Sequence, residues 1–151
     1  MKSPLFTIGY EHATTHAMLD ELKSAKVDLV VDVRAVTSSR RPGFSKRQLA
    51  AGLDERGIGY LHFRALGTPK EGRLAARAGR REELFRIYEK HLETPNARTE
   101  IDELAALAKS GRRICLLCYE RDPDGCHRRR VAELIHERTG AAVENLFCSP
   151  V

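Results

Sequence analysis

The chain reads as a three-layer α/β/α sandwich built on a mostly parallel sheet of about five strands, Rossmann-like in class. Three observations predict it. Short apolar, β-branched runs alternate with amphipathic helical stretches along the whole sequence. Polar and reactive residues gather just after the apolar runs, where open α/β sheets bind ligands. The length of 151 residues, with 42% hydrophobic and 31% charged, fits a single domain spanning 1–151 that buries a core without disulfide or metal staples.

The elements follow in order. Residues 5–10, LFTIGY, form an apolar strand with a glycine exit. In 14–25, Met18, Leu19, Leu22 and Ala25 recur at helical spacing behind a Thr14 or Thr15 N-cap. Residues 27–34, VDLVVDVR, are apolar on both faces, as a buried parallel strand requires. A helix over 45–57 opens on Ser45 and Gln48 in capping-box spacing and stops at Gly57. Residues 58–63 form the third strand. The stretch 67–81, GTPKEGRLAARAGRR, has Gly, Pro and five cations with little apolar weight, and reads as a mobile basic segment. Helices follow at 81–93 and 95–109, the second with Thr94 as cap, Pro95 in the first turn and Gly111 at its end. Residues 112–120 form the fourth strand, 126–140 a helix closed by Gly140, and 142–147 the last strand.

No apolar run approaches the roughly 20 residues needed to span a bilayer, so no membrane partner is expected. The N-terminus reads as a strand rather than a signal peptide, and a cytoplasmic location is expected. The four cysteines, Cys115, Cys118, Cys126 and Cys148, are then thiols. The net charge of +5, with 19 Arg against 7 Lys, permits an anionic small molecule or a nucleic acid as partner without demanding one. There is no Walker loop, no G-x-G-x-x-G and no G-x-S-x-G, and no motif names a cofactor.

Chemistry collects at the strand ends. Strand one exits through Tyr10, Glu11 and His12; strand two through Asp32 and Arg34 towards Arg40; strand four through Cys118, Tyr119 and Glu120. In the helix that follows, Val131, Leu134 and Ile135 define the buried face, and His127 and Arg128 fall within about 70° of its centre. A cation in a first helical turn costs about 0.3–1 kcal/mol against the helix dipole unless an anion offsets it. Arg128 with the free N–H groups of that turn therefore suggests an anion site. Internal pairing of Arg128 with Asp32 or Glu120 is the competing reading.

The thiols leave three readings open. Cys118 or Cys126 is a nucleophile activated by a helix N-terminus and nearby arginines, with His127 as base. Or Cys118, Cys126 and His127 hold a metal, with a fourth ligand such as His12. The C-x7-C-H spacing matches no common zinc pattern, so no metal is expected on spacing alone. Or the thiols simply pack. Cys115 and Cys118 form a C-x2-C, but on a strand they point to opposite faces. Cys115 to Arg121 has the C-x5-R spacing of a phosphatase loop, yet the intervening LLCYE lacks glycine and cannot cradle phosphate.

The segments TIGY (7–10), DVR (32–34), SRRPGFS (39–45), GIGYLHFRALG (57–67) and LLCYERDPDGCHRRRVAELI (116–135) together resemble the domain-of-unknown-function 488 family. The resemblance covers nearly the full chain. It implies a compact α/β domain with a site at the strand-end rim, on Tyr10, Asp32, Arg34, Arg40, Phe44, Cys118, Glu120, Cys126, His127 and Arg128. The sequence departs at LGTP (66–69), where the family often has a second glycine.

Two functional expectations follow. In one, the rim binds a phosphorylated or otherwise anionic substrate through Arg128, Arg34, Arg40, Tyr10 and His12. Asp32 or Glu120 then orients an arginine or acts as base, and Cys118, Cys126 and His127 carry out the chemistry. In the other, the chain is a non-catalytic nucleic-acid-binding module that works through Arg73, Arg77, Arg80 and Arg81. A plainer reading is an interaction domain whose rim is an internal ion-pair network.

Overall fold

The computed structural model describes residues 3–149. Its sheet has five strands, all parallel: β1 (Leu5–Gly9), β2 (Leu29–Asp32), β3 (Gly59–His62), β4 (Ile114–Cys118) and β5 (Val143–Phe147). Their order across the sheet is β3-β2-β4-β1-β5. Helices α1 (Thr15–Ser24) and α2 (Lys46–Asp54) cover one face. Helices α4 (Arg81–His91), α5 (Pro95–Lys109) and α6 (Arg128–Thr139) cover the other. This is the expected three-layer α/β sandwich, and the predicted elements match in type and order.

Alternation along the strands builds two separate cores. Phe6, Ile8, Val30, Cys115 and Leu117 face α1 and α2. Leu5, Leu29, Val31, Ile114, Leu116 and Cys118 face α5 and α6. Cys115 and Cys118 thus lie on opposite faces, as the strand period requires. β1, β2 and β4 are buried along their whole length, which explains why Thr7 and Asp32 are their only side chains with a hydroxyl or a charge.

This order creates a crevice. β1 and β2 leave the sheet towards α1 and α2, whereas β4, wedged between them, leaves towards α6 on the opposite face. Neighbouring strands whose connections diverge open a cleft at their carboxyl ends. Tyr10, Arg34 and Cys118 come from the ends of these three strands.

Local expectations divide. Thr14 caps α1, accepting a hydrogen bond from the Ala17 N–H. Gly140 closes α6 at a φ of 73°. Ser45 does not form the expected capping box. Its hydroxyl bonds Ser39 instead, and Gln48 accepts from the Gly43 N–H, so both tie down the 39–45 loop. The segment 67–81, read as a mobile basic stretch, contains a further helix, α3 (Lys70–Arg77), packed on α4. Its buried positions are Gly72 and Ala75, which are too small to register as an apolar stripe. No described helix is long and apolar enough to cross a membrane.

Candidate functional site

The exits of β1 and β4 meet at Gly9. A Cβ there would lie 1.6 Å from the Glu120 carbonyl oxygen, so only glycine lets the β4 exit cross so close. The two chains stay paired beyond the sheet: the Tyr10 N–H bonds Cys118 O at 3.2 Å and the Glu11 N–H bonds Tyr119 O at 2.8 Å. Residues 119–127 then turn through a short 3₁₀ segment at Pro123–Gly125 and deliver Cys126 and His127 to the start of α6.

A buried ion pair organises the β2 exit. Asp32 accepts from the Arg34 backbone N–H at 3.0 Å and from Arg34 Nε and Nη2, the latter at 2.7 Å. Tyr60 donates its hydroxyl to the same carboxylate at 2.5 Å. The other arm of Arg34, Nη1, bonds the Tyr10 hydroxyl at 3.1 Å and Phe44 O at 2.8 Å. Burial opposes the Arg34 charge, but the Asp32 carboxylate outweighs it and raises the guanidinium pKa. The same burial, with Asp32 beside it, pushes the Tyr60 phenol up. Tyr10 stacks on Phe44 with ring centroids 4.4 Å apart. Asp32 is therefore a positioning residue for Arg34, not a free base.

Beside this pair lies a cavity of about 350 Å³. Its floor is Cys118, Cys126 and His127, with Tyr10, Arg34, Tyr119 and Glu120 around them. Arg73 and Arg77 of α3 line the same cavity. Neither has a carboxylate partner among the described residues; Arg73 Nη1 bonds Thr68 O at 2.8 Å. The donor atoms of Cys118, Cys126 and His127 lie within 4.8 Å of one another, and all three residues are buried. Cys118 Sγ is 3.8 Å and Cys126 Sγ 3.9 Å from His127 Nδ1. His127 Nε2 is 2.7 Å from Val33 O, and Tyr88 packs edge-on against the ring.

The two thiols are driven apart electrostatically. The hydrogen bond to Cys126, then burial, pushes Cys118 well above the ordinary thiol range. For Cys126 burial works the same way, but the Cys118 hydrogen bond, the His127 ring and Arg128 outweigh it and hold the thiol well below that range. Burial pulls His127 down, while Cys126 more than restores it. Glu120 is raised by burial and by Glu11.

The structure gathers Tyr10, Arg34, Cys118, Glu120, Cys126 and His127, with Asp32 behind them. Three expected ligand-binding residues are not brought to the cavity. Arg128 is fully buried, donating Nη1 to Glu120 O and Nη2 to Arg121 O. These strand-exit carbonyls supply the negative partner expected from a bound anion. The N–H groups of Arg129 and Arg130 bond back to Cys126 O and His127 O, so the first turn of α6 is largely satisfied. Arg40 is exposed. Its neighbour Arg41 turns inward instead, bonding Tyr10 O at 3.1 Å and also Ala13 O. His12 is 72% exposed and pairs loosely with Glu11, so it is no fourth ligand to the cysteines. The sequence reading assigned Arg73 and Arg77 only to a nucleic-acid surface. Their spacing of four places them on one helical face, a signal that the unrecognised α3 concealed.

A family model described as domain of unknown function DUF488 matches residues 14–135. The chain belongs to this family. The match takes in Asp32, Arg34, Cys118, Cys126 and His127, and ends inside α6. Comparison with curated proteins and with solved structures gave no match.

Proposed function

We propose that this DUF488 domain is an enzyme that binds a phosphorylated or otherwise anionic substrate, such as a nucleotide or a nucleic acid end, in the strand-end cavity. One observation carries the reading: Arg73 and Arg77, without carboxylate partners among the described residues, line one cavity of about 350 Å³ together with a buried Cys–Cys–His cluster. That volume lies within the range of small-molecule sites, about 300–1,000 Å³. Guanidinium groups and thiols lining one cavity would bring an anionic group close to the chemistry. Tyr119, 42% exposed at the rim, offers a flat face to a base or ring. Glu120 lines the same space as acid or base. Four free thiols suit the reducing cytoplasm.

The test is thermal unfolding of the reduced protein with inorganic phosphate, nucleotides and short oligonucleotides. A ligand at 100 times its dissociation constant adds about 2.7 kcal/mol to stability. A shift with one anion, lost in R73A/R77A, supports the reading. No shift with any of them contradicts it.

A second reading, the non-catalytic nucleic-acid module, draws on a neighbouring hollow. Arg64 and Lys70 line it, and it shares Thr68 and Arg73 with the cavity, so basic residues continue past the site. This reading predicts oligonucleotide affinity that falls steeply with salt and does not depend on Cys118.

A further inference from the structure

We propose that Cys118, Cys126 and His127 form a binding site for a zinc-class divalent metal ion, with its fourth coordination position open to the cavity. The role of the ion rests on the anion-binding reading above; its binding does not.

The donor set is the first ground. Two sulfurs and an imidazole nitrogen, within 4.8 Å of one another, are the soft and borderline ligands that zinc prefers. Bond lengths of about 2.3 Å to sulfur and 2.0 Å to nitrogen, at a tetrahedral angle, separate S from N by about 3.5 Å. The two sulfurs here stand 3.8 and 3.9 Å from Nδ1, close to that separation, so an ion is reached by a small contraction together with a turn of the ring.

The second ground is the tautomer of the ring. A carbonyl oxygen can only accept, so the 2.7 Å contact with Val33 O places a proton on Nε2. In a neutral ring Nδ1 then carries the lone pair; Cys118 Sγ lies beside the ring, 3.8 Å from Nδ1 and 3.9 Å from Nε2, so ligation requires the imidazole to turn that lone pair onto an ion held by the sulfurs. A second ring nitrogen donating to a backbone carbonyl is the usual support of a metal-ligating histidine.

The third ground is asymmetric burial. On the core side Val33 O and the Tyr88 ring pack against His127. On the other side all three ligands line the cavity. Three protein ligands with one open side are the pattern of a catalytic rather than a structural site. The open position faces the space where Arg73 and Arg77 hold the anion, so an anionic oxygen or a water reaches the ion there. The ion acts on it as a Lewis acid. The spacing rules missed this site because they describe ligands on one local loop. Here one ligand ends a strand and two open a helix.

The experiment is a Co²⁺ titration of the reduced, chelator-stripped protein, followed by optical absorption. The expected result is saturation at one cobalt per chain, with tetrahedral visible bands and a thiolate-to-metal charge-transfer band, both abolished by added Zn²⁺. C118S and C126S should each halve the charge-transfer intensity, whereas C148S, on the opposite face of the sheet, should leave it unchanged. Circular dichroism confirms that each variant is folded. If either ligand variant is unfolded, the wild-type and C148S spectra with the cobalt stoichiometry decide. R73A/R77A should keep the full cobalt spectrum while losing any anion response. Absence of a charge-transfer band in folded wild-type protein, or its loss in C148S, overturns the metal site and leaves the anion cavity standing. A full cobalt spectrum with no anion response overturns the proposed substrate class and leaves the metal site standing.

Discussion

Arg128 crosses from the first turn of α6 to the carbonyls of Glu120 and Arg121, and so bolts the helix onto the exit of β4. The two thiols ride on the two pieces it joins: Cys118 ends the strand and Cys126 precedes the helix. The Cys–Cys–His cluster is therefore held from beneath by a buried cation that lies outside the cavity lining. Replacing Arg128 by Met removes both charge-assisted bonds and should cost about 2–5 kcal/mol in chemical denaturation. Lysine should not restore the loss, because a single ammonium cannot span two carbonyls as the planar fork does. Equal stability of the lysine variant and the wild type would show that the clamp does not work through geometry.

The Asp32–Arg34 pair is sealed, with side-chain exposures of 0% and 4%. Removing one charge of a buried pair strands the other, at a cost of about 3–5 kcal/mol. D32N should therefore unfold at a markedly lower denaturant concentration than wild type. Y60F removes one donor to the same carboxylate and should cost about 1.5–3 kcal/mol. Reversal of that order would mean that the phenol, not the guanidinium, is the main partner of Asp32.

Two glycines make a contrast on steric grounds. A Cβ at Gly9 meets the Glu120 carbonyl at 1.6 Å, and G9A must push apart the exits of β1 and β4. It should destabilise by about 3 kcal/mol or more, at the top of the overpacking range. Gly52 lies inside α2, where the nearest atom to an added Cβ is Leu19 Cδ1 at 3.7 Å. G52A should gain about 0.5–1 kcal/mol from helix propensity. Melting curves of the two variants should move in opposite directions.

The fold was largely legible in the sequence, and the reason is the sheet. β1, β2 and β4 are buried on both faces, so apart from Thr7 and Asp32 their residues are apolar or glycine and mark themselves off from the helices. α3 escaped because its inward side is Gly72 and Ala75, while Lys70, Arg73 and Arg77 dominate its composition. That one omission also hid the cationic wall of the cavity. His127 could be placed facing the sheet from the helical period of α6 alone. Its meeting with both cysteines was one of three readings open in the sequence, and the return of the chain through Pro123–Gly125 to the end of β4 decides it. The choice between Arg40 and Arg41 was equally closed to pattern reading. Both sit in an irregular loop, and only the Tyr10 and Ala13 carbonyls decide which turns inward.

The most direct test of the central claim is calorimetric titration of inorganic phosphate and mononucleotides into the wild type and R73A/R77A at low and physiological salt. The account predicts one site per wild-type chain, weakened at higher salt, and no measurable heat of binding in the double variant of unchanged stability. Undiminished binding in R73A/R77A, or no binding of any anion to the folded wild type, would contradict it.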